Sequence, residues 1–127
     1  MLRCLCLVAA CALGSAWAQV HDSSTPASVA RKLHLRGDAN DIGVQEMRLV
    51  RRNGMLLVQA DIFNTTRDAR TIFYRFKWLD DIGNQVGDGE VWKQLHVRGA
   101  DVFTVKGLAP HASVVDFKLE MNVEPGR

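Results

Sequence analysis

Residues 64–78, NTTRDARTIFYRFKW, decide the fold of this chain, because they join a polar turn to a strand that holds four of its nine aromatic residues. Ile72, Tyr74, Phe76 and Trp78 recur at every second position. Successive side chains of a strand point to opposite faces of a sheet, so all four lie on one face and the basic residues between them on the other. We therefore predict that these four residues form the structural core of a β domain.

An Asn-Gly pair upstream of this strand predicts a β-hairpin. Asn53 and Gly54 both tolerate the positive φ of a tight type I′ turn, and strand-forming residues flank them. We place the two strands at residues 45–52 and 55–63. In the second strand apolar and polar residues alternate, which is typical of a sheet with one face on a core.

Short strands are predicted along the rest of the chain, at residues 32–36, 69–79, 90–97, 102–107 and 114–121. The last of them would place Val115, Phe117, Leu119 and Met121 on one face. With turn signals about every 8–12 residues, the pattern favours an all-β fold, an antiparallel immunoglobulin-like β-sandwich of about seven strands. A small barrel is the alternative.

The N-terminus has the three regions of a secretory signal peptide. Arg3 precedes an apolar run that ends in Ala16-Trp17-Ala18, so residues 1–18 are predicted to be removed and the protein to be periplasmic. Cleavage and lipidation at Cys11, giving a lipid-anchored protein, is the alternative. We divide the remainder into a flexible leader at 19–43, in which a short edge strand fits residues 32–36, a β-sandwich domain at 44–123 and a tail at 124–127. No segment has the roughly 18 apolar residues of a transmembrane helix.

Composition narrows the chemistry of the predicted mature chain. All three cysteines, Cys4, Cys6 and Cys11, lie in the predicted signal peptide, so disulfides, thiol nucleophiles and thiolate metal sites are not expected. Without Arg3, 15 of the 16 basic residues remain against 14 acidic ones, a net charge of +1. This balance gives no reason to expect nucleic acid as a partner.

Residues 44–121 contain an ordered set of motifs: Asn64-Thr65-Thr66, Tyr74-x-Phe76-x-Trp78, Asp80-Asp81-x-Gly83, Trp92, Gly99 and Ala109-Pro110. This set resembles the YcfL family of small exported bacterial envelope proteins of unknown function. The resemblance implies a β-sandwich in the periplasm, and the family offers no catalytic residues to carry over. Many members of that family resemble lipoproteins, whereas the better cleavage site here leaves Gln19 at the N-terminus.

Residues that could carry chemistry form no recognisable site. The histidines, His21, His34, His96 and His111, are scattered, and the acidic segment at residues 80–90 does not have the spacing of an EF-hand. Ser113 lies near His111, but no nucleophile-elbow signature surrounds it. We predict no cofactor, no metal and no enzymatic activity. Asn64-Thr65-Thr66 matches a glycosylation acceptor, and a turn in which the Asn64 side chain bonds the backbone is the stronger interpretation.

The function predicted from these observations is a non-catalytic periplasmic module that binds or scaffolds an unknown envelope protein. Arg48, Arg51 and Arg52, next to the Asn-Gly turn, form the densest basic cluster and are the predicted partner surface, with a solvated hairpin end as the alternative interpretation. The alternative is a module that binds small ligands or glycans through exposed aromatic residues. We assign Trp78 to the core, and Trp92 as well, although the pattern does not fix the side of its strand.

Overall fold

The computed structural model describes residues 25–125 of the chain. The predicted signal peptide, the three cysteines and the start of the predicted leader lie outside the described residues, as do the last two residues of the predicted tail. In chain order the elements are α1 (Ala27–Ala30), β1 (Leu33–Gly37), β2 (Ile42–Arg52), β3 (Met55–Asn64), β4 (Arg70–Leu79), β5 (Lys93–Val97), β6 (Val102–Leu108) and β7 (Asp116–Val123). Within this part of the chain no helix is long and apolar enough to cross a membrane.

The strands form two sheets that pack face to face, which confirms the predicted all-β sandwich. One sheet has four strands in the order β1-β7-β4-β5, and the other has three in the order β2-β3-β6. All neighbouring strands run antiparallel except β1 and β7, which are parallel, with Leu33 opposite Leu119. This parallel pair departs from the purely antiparallel prediction. The two strands are far apart in the sequence, and the local pattern of each does not specify the direction in which they pair.

The inner face of β4 supplies the aromatic centre of the core. Ile72, Phe76 and Trp78 are buried, whereas Tyr74 is half-buried and packs against the edge of the cluster. Phe76 stacks on Trp78, with their ring centroids 5.2 Å apart and their planes at 15°. The Trp78 indole Nε1 donates to Glu90 Oε1 at 3.1 Å, so its one polar group is paired despite burial.

The sandwich begins earlier in the chain than residue 44. Part of the predicted leader is structured: Val29 of α1 and Ile42 of β2 are buried in the core, and β1 pairs with β7 along its whole length. β1 lies at an edge of its sheet, as predicted for a strand in this segment. Its residues alternate, with Leu33 and Leu35 apolar, but the strand is short and mostly exposed, so the pattern predicts a strand without showing that it belongs to the sandwich.

β5 and β7 begin two or three residues later than predicted, and an apolar side chain before each of them is exposed as a result. β5 begins at Lys93 instead of residue 90, so Trp92 precedes the strand and is not a core residue. β7 begins at Asp116, and Val115 lies outside it with 49% of its surface exposed. Both strands follow loops whose backbone amides bond to the end of β4. The Val86 amide donates to the Trp78 carbonyl, and the Val115 amide donates to the Leu79 carbonyl.

Asn64 ends β3 and is fully buried. Its Oδ1 accepts from the backbone amide of Thr66 at 3.0 Å, which is the side-chain turn predicted from the sequence. Its Nδ2 donates to the carbonyls of Asp68, Val97 and Arg98 at 2.7, 3.2 and 3.3 Å. The side chain therefore ties the last residue of a strand in one sheet to the end of β5 in the other, and it is not exposed as a glycosylation acceptor would be.

The two sheets approach each other closely where Phe76 meets Gly107 of β6. A Cβ atom on Gly107 would lie 2.5 Å from Cδ2 of the Phe76 ring, so only glycine fits there without movement. Phe76 has little freedom to move, because it is 1% exposed and also packs against Phe117.

We expect Gly107→Ala to lower the free energy of unfolding by about 1–3 kcal/mol, the usual cost of overpacking a core. Urea denaturation followed by far-UV circular dichroism measures this. Gly89→Ala is the matched control, since the added Cβ would meet only the flexible end of Gln85 at 3.5 Å. A Gly107→Ala protein as stable as wild type would show that Phe76 is not held where the structure places it.

Candidate functional site

The predicted partner surface lies on the β2–β3 hairpin, whose turn has the predicted geometry. Asn53 and Gly54 have φ values of 52° and 78°, both in the left-handed region that a type I′ turn requires. Because side chains alternate along a strand, β2 does not present its three arginines together. Arg48 and Arg52 lie on the outer face of the three-stranded sheet, and Arg51 lies on the opposite face of β2.

Arg48 is the centre of a network that spans all three strands of this sheet. Its Nη1 and Nη2 donate to the two carboxylate oxygens of Asp61 in β3 at 2.8 and 2.9 Å, and Nη1 also lies 3.1 Å from Glu46. Thr104 of β6 donates its hydroxyl to Asp61 at 2.6 Å. The Arg48 guanidinium, and then the Thr104 hydroxyl, lower the pKa of Asp61 below its ordinary value. This bidentate pair fixes both side chains on the surface.

Arg51 has a different role. Its guanidinium donates to the backbone carbonyl of Gly54 at 3.1 Å and to that of Val114 at 3.0 Å. It therefore ties the hairpin turn to the segment that precedes β7. Of the three arginines, Arg52 is the one at the outer, hairpin end of the sheet, and it is exposed.

An apolar row crosses the same outer face between the Arg48 network and the turn. It consists of Val50, Leu57 and Leu108, which lie directly opposite one another on β2, β3 and β6. Val50 is 50% exposed and Leu108 is 60% exposed, while Leu57 between them is half-buried. Arg52 on one side and Lys106 on the other border the row with exposed positive charge.

Sequence reasoning missed this row, although the hairpin register places two of its three members. The Asn-Gly turn fixes the hairpin register, which places Val50 opposite Leu57 once Arg52 is opposite Met55. The third member, Leu108, lies beyond the end that we predict for its strand and joins the row only through the pairing of β3 with β6. No local signal in the sequence specifies that pairing.

A second feature, on the outer face of the four-stranded sheet, includes the exposed Trp92. The Arg75 guanidinium carbon lies 4.2 Å from the centre of the Trp92 ring, and Arg75 Nε donates to the buried Glu120 at 2.9 Å. Beside this stack is a groove of about 150 Å³, also lined by Lys77 and Glu90. Arg75 is thus held by a carboxylate and an aromatic ring at the same time.

The comparisons with known proteins agree with this architecture. The family model described as protein of unknown function (DUF1425) matches residues 28–123, from α1 to the end of β7. The chain belongs to this family. No curated protein matches the sequence.

Two solved structures resemble this DUF1425 domain. A DUF1425 family member from Shewanella sp. PV-4 is 26% identical, with a TM-score of 0.57, over 68% of this chain and 79% of that one. Campylobacter jejuni Cj0090 is 21% identical, with a TM-score of 0.61, over 72% of this chain and 96% of that one. The second likeness is one of fold alone.

Two of the groups with catalytic or metal-binding chemistry that the sequence singles out are used in turns of the DUF1425 domain. The Ser113 hydroxyl lies 2.8 Å from His111 Nδ1, but the Ser113 backbone amide donates to the same nitrogen at 3.0 Å, which makes this an exposed local turn. Asp80 Oδ1 accepts from the amides of Ile82 and Asn84, as a turn carboxylate does. Across residues 25–125 no three His, Asp or Glu side chains lie close enough to hold a metal ion.

The Arg48 network makes a prediction about pH. Because the folded-state pKa of Asp61 is lowered, its stabilising contribution is complete above the ordinary aspartate pKa of about 3.9 and is lost as the pH falls through the folded value. We expect Asp61→Asn to cost about 1 kcal/mol at pH 7, the upper end for a surface pair. The difference from wild type should shrink as the pH falls from about 4 through the lowered pKa of Asp61.

Urea denaturation at a series of pH values measures both free energies of unfolding. Asp88→Asn is the control, because it makes the same change at an exposed loop residue and should leave stability at pH 7 within about 0.5 kcal/mol of wild type. An Asp61→Asn deficit that stays constant down to the lowest pH would contradict the role given to the Asp61 carboxylate.

Proposed function

We propose that this DUF1425 domain is a YcfL-like, non-catalytic protein of the bacterial cell envelope that binds another envelope protein through the outer face of its three-stranded sheet. The observation that carries the proposal is the apolar row Val50, Leu57 and Leu108. Burial of exposed apolar side chains drives most protein association. Until a partner covers this row, its contact with water is unfavourable.

The border of the row indicates what the partner presents. Arg52 and Lys106 are exposed on either side of the row. Arg48 is already paired with the carboxylates of Asp61 and Glu46. A partner surface with an apolar centre and acidic residues around it is complementary in both respects. The Arg48 network lies next to the row and forms a polar rim. Its side chains are already fixed, so binding does not have to order them.

The periplasmic location that we propose is supported by the signal-peptide pattern at residues 1–18 and by the family resemblance. It predicts a mature N-terminus at Gln19. N-terminal sequencing of the exported protein tests this, and a blocked Cys11 in its place would mean that the chain is lipid-anchored.

In-cell photo-crosslinking tests the binding surface. With a photoreactive amino acid at Leu108 we expect a reproducible adduct with one envelope protein, and with the same group at Val91 we expect none. Val91 is 78% exposed but lies on the connection between β4 and β5, away from the row.

A charge reversal separates specific capture from chance contact. Lys106→Glu should strongly reduce the Leu108 adduct, since it would place a carboxylate against the acidic partner, whereas Lys77→Glu on the other sheet should not. Equal adducts at Leu108 and Val91, or a Leu108 adduct unaffected by Lys106→Glu, would count against the proposed surface.

Trp92 favours a second candidate function, the binding of a glycan or another small ligand. Its ring is 36% exposed beside the Arg75 groove, and exposed indole rings stack on sugars. If cell-wall glycan fragments bind there, they will quench tryptophan fluorescence in the wild type and not in Trp92→Phe, because Trp78 is 3% exposed and shielded by the core. Absence of quenching in the wild type would eliminate this candidate.

A further inference from the structure

Within the described residues, the outer edge of β2 is a long, unpaired strand edge with exposed apolar residues at its middle. β2 has eleven residues and pairs only with β3 within the described part of the chain. Leu49 and Val50, at its centre, are 52% and 50% exposed. Such an edge is a template for another strand unless something covers it.

The hydrogen bonds of β3 determine which backbone groups of β2 face this edge. The Ala109 amide donates to the Leu56 carbonyl, and the Asn64 amide donates to the Asp101 carbonyl, so the even-numbered residues of β3 bond on the β6 side. The odd-numbered residues of β3 therefore bond β2, where they lie opposite Glu46, Arg48, Val50 and Arg52. Since directions alternate along a strand, the amides and carbonyls of Met47, Leu49 and Arg51 point away from the sheet.

The same edge is already closed at its beginning. The Val44 amide donates to Thr25 Oγ1 at 3.0 Å, and the register of β2 shifts between Val44 and Glu46. Among residues 25–125, the edge that is open to another strand thus runs from Glu46 to Arg52.

We infer that two copies of this chain pair through β2, antiparallel and about a twofold axis, with Leu49 opposite Leu49 of the second copy. In this register Met47 lies opposite Arg51, so the three residues whose backbone groups point outward meet each other in hydrogen-bonded pairs. Roughly six backbone hydrogen bonds form across the axis, and two three-stranded sheets become one of six strands. This inference concerns self-association and goes beyond the proposed envelope partner.

The charges on β2 select this register among those that the backbone allows. It places Glu46 opposite Arg52 of the second copy, twice by symmetry, and it places Arg48 opposite Val50. Opposite charges directly across an antiparallel pair are stabilising and like charges are destabilising. The two Leu49 side chains, each exposed in the single chain, cover one another at the axis.

The neighbouring registers bring like charges together. A shift of two residues one way places Arg48 opposite Arg48 and brings Arg52 opposite Val44, where Thr25 already occupies the edge. A shift of two residues the other way places Arg48 opposite Arg52 twice. A one-residue shift fails as well, because it would set an outward-pointing backbone group opposite an inward-pointing one.

Sedimentation equilibrium of the purified chain tests the inference through a charge exchange. The wild type is expected to be a dimer, and Glu46→Arg or Arg52→Glu alone should raise its dissociation constant by about tenfold or more, because each places like charges opposite one another twice. An equimolar mixture of the two single variants should restore dimers, since every position 46 then faces an opposite charge at position 52. The double variant should restore them too, and Lys77→Glu should behave as wild type.

Recovery of dimers on mixing distinguishes a charge effect from misfolding, because a misfolded variant would not regain its partner. A wild type that stays monomeric overturns the inference, and so do single variants that dimerise as well as wild type or a mixture that does not recover. Open-ended larger assemblies would overturn it as well, since a twofold contact closes at two copies. The measurement uses this chain alone, so its outcome is separate from that of crosslinking to an envelope protein.

Discussion

The buried side chain of Asn64 holds together the two sheets on which every other feature is mounted. Its Nδ2 reaches carbonyls of Asp68, Val97 and Arg98, and its Oδ1 accepts from the Thr66 amide, so both polar ends of the amide are used. In a low-dielectric interior such a satisfied network is stronger than in water and defines one arrangement of the groups around it. The loops it joins are in close contact, because a Cβ on Gly99 would lie 2.0 Å from the Arg67 carbonyl oxygen. The end of β3, and with it the hairpin that carries the candidate site, is therefore fixed relative to the four-stranded sheet.

The parts of the fold that could be predicted from the sequence are those that a local rule determines. The alternation from Ile72 to Trp78 identifies the inner face of β4, and Asn53-Gly54 specifies both a turn and a register. The pairing of β1 with β7 is different. Leu33 and Leu119 pair although they are far apart in the sequence, and no residue near either one specifies the contact. Trp92 shows the same limit in another form. Which way its side chain points depends on a long connection between β4 and β5, and one of the contacts that hold this connection, from the Val86 amide to the Trp78 carbonyl, is a backbone bond that no side-chain pattern indicates.

The candidate site shows how proximity in sequence misleads on a strand. Arg48, Arg51 and Arg52 form one basic cluster in the sequence, but the pleat separates them into a network centre, a backbone clamp and an exposed charge. The groups that replace them as the candidate surface come from three strands, and Leu108 enters only through the pairing of β6 with β3. A surface assembled across a sheet needs the register of every strand in it, and here the sequence supplies that register for one hairpin.

The outer faces of the two sheets differ in whether their exposed groups already have partners. On the four-stranded sheet the aromatic ring and the charge are already partners, since Arg75 lies over Trp92 and donates to Glu120. A ligand that stacks on Trp92 must compete with a guanidinium already in place, which reduces the net gain of binding. On the three-stranded sheet the polar groups of Arg48 and Asp61 are likewise matched, but the apolar row beside them remains half exposed to water. Association at that face removes apolar surface from water without breaking an existing ion pair, which is why we place the proposed protein contact there instead of at the tryptophan.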